Sequence, residues 1–158
     1  MIPNDPEFRL NPEGLLCLPA ELDHLPAFLD HVRQMAEVAG VAAAQASRLE
    51  LAVEEALVNV CNYAYIGQTP TGAVRCRVTV RPEGLQVDIA DEGPPFDPLA
   101  RPDPDTALEL DQREPGGLGI LLIKSLVSEV SYRREQGQNV LTIRMDQAAG
   151  EKLDAAES

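Results

Sequence analysis

The sequence predicts an α+β domain, and two observations lead to that class. Apolar residues recur at helical spacing along two segments that precede Gly67. From Val74 onward the apolar period falls to two, which is typical of half-buried strands joined in hairpins. The 158 residues suit one domain, and a hydrophobic content of 44% is enough to build its core.

Each predicted element is bounded by a cap, a turn or a change of period. The first half contains a loose arm (1–12), a strand (14–18), a helix capped by Asp23 with Pro26 in its first turn and Gly40 at its end, and a helix capped by Ser47 that ends near Tyr65. The second half contains a hairpin (74–81 and 85–89), a helix (116–127) and a hairpin (130–134 and 140–145). We predict one domain over residues 13–146 and a frayed tail over 147–158.

Residues 94–115 interrupt this regular pattern. They hold six of the 13 prolines, six acidic residues and two arginines. Long loops of this kind are usually functional or disordered. We predict a lid with weak order, because this composition buries little apolar surface.

Charge and cysteine content exclude several classes of protein. A net charge of -13 repels nucleic acid, and it also repels free ATP unless a cation and backbone donors offset it. The acidity either solvates the surface or matches a basic protein partner. Cys17, Cys61 and Cys76 have neither metal-ligand nor disulfide spacing, so we expect reduced, mostly buried thiols. With no signal peptide or membrane-spanning stretch, a cytoplasmic location is expected.

Glu55 and Asn59 form the first candidate motif. They lie four residues apart, so a helix places both side chains on one face. An amide oxygen suits Mg²⁺, and a carboxylate can take a proton from a hydroxyl that attacks a phosphate. Glu54 points about 100° away and is expected to be solvated. The alternative is an ordinary exposed helix face.

Asp91 and Gly93 form the second motif, at the exit of a predicted strand. The carboxylate can accept a hydrogen bond from an exocyclic amine such as that of adenine, and the glycine lets a flat ring approach the backbone. A simple turn is the alternative, with Phe96 as a wedge against the core.

Gly116, Gly117 and Gly119 form the third motif and precede a predicted helix. Small residues there expose backbone N–H groups, which bind anions. The pattern is neither a dinucleotide fingerprint nor a Walker A loop, and alone it fits a hinge with a cap. Together the three motifs predict a nucleotide site.

This arrangement resembles the GHKL ATPase superfamily, and within it the bacterial anti-sigma-factor serine kinases of the RsbW and SpoIIAB type. Residues 55–65 look like the N box, 91–98 like the G1 box and 116–120 like the G2 box. The resemblance covers residues 14–146. Tyr63 departs from it, because the family often has histidine there.

The resemblance implies a Bergerat fold, a two-layer sandwich of a mixed, mostly antiparallel sheet with helices on one face. It implies a homodimer that uses ATP and Mg²⁺, sequesters an alternative sigma factor or analogous regulator, and phosphorylates a serine of a STAS-type anti-anti-sigma protein. In that scheme Asp91 reads adenine, Asn59 holds Mg²⁺ and Glu55 activates the serine hydroxyl. The implied nucleotide-binding set is Asn59, Asn62, Asp91, Gly93, Phe96, Gly116, Gly117, Leu118, Gly119 and Ile120.

Three basic residues receive separate interpretations. Arg113 is one of two cations in the lid, and we hypothesise that it meets the γ-phosphate. His24 and His31 are expected on the surface of the first helix.

Two other functions stay open: a binding module that uses ATP as a conformational ligand, and a histidine-kinase-like domain whose phosphoproduct would be labile to acid.

Overall fold

The computed structural model describes residues 14–100 and 117–147, which form a sheet covered by helices. The elements are β1 (Leu15–Pro19), a 3₁₀ turn (Leu22–His24), α1 (Leu25–Ala39), α2 (Ala43–Tyr63), β2 (Ala73–Arg81), β3 (Gly84–Asp91), a 3₁₀ turn (Pro98–Ala100), α3 (Gly117–Leu126), β4 (Glu129–Glu135) and β5 (Gln138–Asp146). The predicted arm, the lid beyond residue 100, the tail from residue 148, Arg113 and Gly116 lie outside the described residues.

The five strands form one sheet in the order β1-β2-β3-β5-β4, and all four pairings are antiparallel. β3 lies at the centre, and its last residue, Asp91, is directly opposite Asn139 of β5. This register matters for function, because cross-strand neighbours on one face lie within side-chain reach of each other.

One face of the sheet supplies the core. In β2, Val74, Cys76 and Val78 are buried while Arg75 and Arg77 are exposed, as the alternating pattern predicts. Burial raises the pKa of the Cys76 thiol to about 12, so this cysteine stays a neutral core residue.

The helices bury an apolar stripe against that face. Along α2 the buried residues recur every three or four positions, and they are Leu49, Ala52, Val53, Ala56 and Leu57. Burying a leucine or valine side chain contributes about 1.5–3 kcal/mol. This stripe therefore sets the rotation of α2, and Glu55 and Asn59 emerge half-buried beside it.

Two predicted helix caps are wrong. α2 begins at Ala43 without a side-chain cap, and Ser47 lies exposed inside it, because the alanines before it already favour helix. Asp23 lies in the 3₁₀ turn, and α1 begins at Leu25. Gly40 ends α1, as predicted, and adopts the left-handed conformation with φ of 71°.

His31 is a further correction, because it is buried at 4% exposure instead of lying on the surface. Its Nε2 lies 2.7 Å from the carbonyl oxygen of Gly14, which gives the ring a polar partner inside the core. Burial lowers the pKa of His31, and the bond to Gly14 offsets part of that effect. His24 is partly exposed and lies 3.6 Å from Glu21.

Arg33 of α1 is exposed and pairs with Asp30 of its own helix and with Glu50 of α2. None of the three cysteines forms a disulfide; Cys76 is buried, whereas Cys17 and Cys61 are partly buried. Within residues 14–100 and 117–147, no helix combines the length and the apolar character that crossing a membrane requires.

Candidate functional site

The N-terminal turn of α3 faces Glu55 and Asn59. A Cβ atom placed on Gly119 would lie 3.2 Å from Oε2 of Glu55, 3.7 Å from Nδ2 of Asn59 and 4.0 Å from its Oδ1. Residues more than fifty positions apart in sequence therefore meet where α2 and α3 pack together. We call Glu55, Asn59 and Gly119 the Glu55 face.

The Glu55 face combines groups that suit a phosphate and a cation. The first N–H groups of a helix have no partner within that helix, and they favour anions. The carboxylate of Glu55 lies beside them and would repel a phosphate. A bound cation would offset this repulsion, and the amide oxygen of Asn59 is a suitable ligand for one.

Metal binding at this position needs few protein ligands. Across the described part of the chain, no group of three or more His, Cys, Asp or Glu side chains is arranged to hold a metal ion. Mg²⁺, however, usually keeps several waters and takes one or two protein oxygens together with phosphate oxygens. The donor set of the Glu55 face fits that mode of binding.

The second part of the site is the turn that follows β3, residues 91–96, which we call the Asp91 turn. Asp91 is buried at 7% exposure. Its Oδ1 accepts hydrogen bonds from the backbone N–H of Gly93 at 2.9 Å and from Nδ2 of Asn139 at 3.0 Å. The contacts from described residues engage Oδ1, so Oδ2 remains as an acceptor for a ligand.

Gly93 lies against the backbone of the residue that follows α2. A Cβ atom at position 93 would lie 2.6 Å from the carbonyl oxygen and 3.1 Å from the Cα of Ala64. The sequence interpretation assigned this glycine to close approach by a flat ring. The structure shows a close approach by the protein's own backbone, which locks the Asp91 turn onto the end of α2.

Tyr65 anchors the same turn and was missed in the sequence. Its hydroxyl donates to the carbonyl oxygen of Ala73 at 2.6 Å and accepts from the N–H of Glu92 at 2.7 Å. Burial raises the pKa of Tyr65, so the hydroxyl keeps the proton that it donates. In the sequence, only its position two residues before Gly67 distinguished it. The groups to which its hydroxyl bonds, at Ala73 and Glu92, lie 8 and 27 positions later in the chain.

Asn139 is the other residue that sequence reasoning missed. It is buried at 8% exposure, opposite Asp91, and its side chain contacts both the carboxylate and the backbone of the Asp91 turn. Arg134 of β4 adds a hydrogen bond of 2.8 Å to the carbonyl oxygen of Gly93. No local signal identified Asn139, because it lies opposite Asp91 through the pairing of β3 with β5, two strands that are far apart in sequence.

The remaining candidates are placed as follows. Phe96 is 54% exposed, so the interpretation of its ring as a wedge against the core is wrong. Its backbone N–H is the group that the structure engages, and it donates to Oδ1 of Asn139 at 3.1 Å. Ile120 is 8% exposed and packs in the core, which leaves only its backbone for a ligand. Asn62 is exposed on α2. Gly117 and Leu118 lie in the first turn of α3.

Comparison with known proteins identifies a domain family and individual relatives. The sequence profile described as histidine kinase-like ATPase domain matches residues 18–145. The serine/threonine-protein kinase BtrW of Bordetella bronchiseptica is 35% identical over 97 residues, which is 60% of this chain and 66% of that protein. The serine-protein kinase RsbW of Bacillus licheniformis is 34% identical over 98 residues, 58% of this chain and 60% of that protein. The matches span less than two thirds of either kinase.

A solved structure also resembles this fold. The crystal structure of RsbU and RsbW domains from Mycobacterium tuberculosis superposes with a TM-score of 0.55 at 14% identity, covering 85% of this chain and 33% of that chain. Such low identity shows the fold alone. With the matching domain profile, it confirms the predicted α+β sandwich of the Bergerat type.

Proposed function

This chain belongs to the family of histidine kinase-like ATPase domains, and we propose that it is an ATP-dependent protein serine kinase. The relatives named above as serine or serine/threonine kinases support this reaction class. We further propose the targets that the sequence resemblance implies. These are a serine of a STAS-type anti-anti-sigma protein, which is phosphorylated, and an alternative sigma factor or analogous regulator, which is sequestered in the cytoplasm by a homodimer.

The observation that carries the proposal is the position of Glu55 and Asn59 beside Gly119. A kinase acting on a hydroxyl needs a proton acceptor beside the phosphate-binding element. The carboxylate of Glu55 lies 3.2 Å from where a side chain on Gly119 would begin, so base and phosphate element are adjacent. A phosphoryl acceptor with an imidazole nucleophile would not require this base.

Each described residue of the site has a role in this proposal. Glu55 takes the proton of the serine hydroxyl, and Asn59 contributes its amide oxygen to a magnesium ion. When bound, that ion neutralises charge on the phosphates. The first turn of α3 binds phosphate through backbone N–H groups. Asp91 accepts a hydrogen bond from the exocyclic amine of adenine through Oδ2.

Phosphate transfer from γ-labelled Mg-ATP into proteins of a source-organism extract tests the proposal. Wild type should produce an acid-stable labelled band. Glu55→Gln keeps the size of the side chain but removes the base, so the band should weaken by about 10²–10⁴-fold with ATP binding retained. Glu54→Gln is the matched control, because it makes the same change one position away, on another side of α2.

Three results would contradict the proposal in different ways. An acid-labile band would indicate phosphohistidine and a histidine-kinase-like domain. Bound ATP with no labelled band would indicate a nucleotide-dependent binding module. Equal loss in Glu55→Gln and Glu54→Gln would remove Glu55 from the role of base.

A further inference from the structure

The side chain of Asn139 is bonded on both of its polar atoms. Nδ2 donates to Oδ1 of Asp91 at 3.0 Å and to the carbonyl oxygens of Pro94 at 2.9 Å and Gly93 at 3.4 Å. Oδ1 accepts from the N–H of Phe96 at 3.1 Å and from the hydroxyl of Tyr132 at 2.7 Å. Three acceptors surround the amino group and two donors surround the oxygen, so the network determines the amide orientation.

This arrangement divides the Asp91 carboxylate into two unequal oxygens. Oδ1 is held by Asn139 and by the N–H of Gly93. The position of Oδ2 is then fixed by the planarity of the carboxylate. An acceptor that recognises one hydrogen-bond donor of a base is more selective when it cannot rotate. Binding then carries no entropic cost for ordering that acceptor.

We propose that Asn139 is a positioning residue that sets the selectivity of the site for the exocyclic amine of adenine. It acts through Asp91 and through the backbone of Gly93 and Pro94. This inference rests on the proposed function, since it assumes that Asp91 faces the base of a bound nucleotide.

Two ligands separate a positioning role from a purely structural one. They are ATP and the purine riboside triphosphate in which hydrogen replaces the exocyclic amine. In wild type, ATP should bind about tenfold more tightly, the difference expected for one hydrogen bond to a charged acceptor. In Asn139→Ala, ATP should bind about tenfold more weakly, while binding of the analogue changes by less than about twofold.

Asn139→Leu keeps a side chain of similar shape but removes both the donor that faces Asp91 and the acceptor for Phe96 and Tyr132. It leaves no cavity, so it provides the measurement if Asn139→Ala does not fold. We expect the same loss of preference for ATP over the analogue. A thermal melt of each variant accompanies the binding measurements.

Thr142→Val is the matched control. Thr142 is also a buried polar residue of β5, but it lies on the opposite face, where its hydroxyl bonds to Asp88 and Arg133. This variant loses buried hydrogen bonds without touching the Asp91 turn. It should keep the wild-type ratio of the two affinities, even if its melting temperature falls.

The outcomes are distinguishable. Wild type that binds neither nucleotide would overturn the proposed function together with this inference. The inference alone would be overturned if wild type prefers ATP but an Asn139 variant binds both ligands more weakly by the same factor. It would also be overturned if the variant keeps the full preference for ATP. Loss of preference in Thr142→Val would also overturn it, because the effect would then follow from general weakening of β5.

Discussion

The Asp91 turn and the Glu55 face differ in how much of their geometry the protein itself supplies. The turn is held from the sheet by Asn139 and Arg134, and from the helix side by Tyr65. At the Glu55 face, by contrast, the side chains of Glu55 and Asn59 form no hydrogen bond with another residue of the described ranges. One end of the proposed site is held by hydrogen bonds before a ligand arrives, whereas the polar side chains at the other end have no partner among the described residues.

This difference matches what each end would have to do. A base-reading acceptor benefits from being fixed in advance, because its selectivity depends on one hydrogen bond in one place. A proton acceptor and a cation ligand must instead engage phosphate, metal and an incoming hydroxyl, so their hydrogen-bonding capacity has to be available. Binding selectivity and transfer activity should therefore respond separately to mutation.

Substitution of Gly93 should have the largest effect on stability. In Gly93→Ala the new methyl group meets the backbone of Ala64 at 2.6 Å, and backbone cannot rotate away. We expect destabilisation by about 1–3 kcal/mol, as for overpacking in a core. For a domain of this size the melting temperature should fall by roughly 3–10 °C. ATP affinity should fall with it, as calorimetry can measure.

Substitution of Gly119 should have the opposite pattern. The Cβ of Gly119→Ala meets the end of the flexible Glu55 side chain at 3.2 Å, and alanine favours the helix by up to about 1 kcal/mol. Melting temperature should stay equal or rise, while phosphate transfer falls by about tenfold or more, because small displacements of reacting groups are costly. A fall in melting temperature as large as that of Gly93→Ala would contradict the contrast between the two ends.

The smallest expected effect concerns His31 in α1, outside both ends. Its folded-state pKa is lowered, so the unfolded chain binds a proton more readily. Protonation would also add a donor at Nδ1, which is buried and has no hydrogen-bond partner among the described residues. The contribution of His31 to the free energy of unfolding is therefore fully present above about pH 6.5. It declines as the pH falls below that value, by at most about 1.4 kcal/mol per pH unit.

Denaturant melts between pH 7 and pH 5 can isolate this effect. The difference in unfolding free energy between wild type and His31→Gln should change across that range, since glutamine keeps a polar group but does not titrate. The ratio of affinities for ATP and its deaminated analogue should be the same in both proteins. A constant difference in unfolding free energy would show that His31 does not titrate on unfolding.

Local patterns predicted most of the secondary structure. Period two over β2 and β3 and helical spacing over α1 and α2 gave the elements and placed Asp91 at a strand end. Errors arose where a local signal competed with a stronger neighbour. Ser47 is a good cap residue in isolation, but the alanines before it extend the helix. His31 is polar, yet a carbonyl 17 positions earlier makes its burial possible.

The sequence by itself determined that Glu55 and Asn59 share a helix face and that Asp91 ends a strand, because periodicity and strand ends are properties of neighbouring residues. Only the tertiary structure decided that Gly119 faces Glu55, that Ala64 presses on Gly93 and that Asn139 holds Asp91. These contacts join residues that lie about 30–65 positions apart. Their distances depend on helix rotation and strand register, which the packing of the whole core sets.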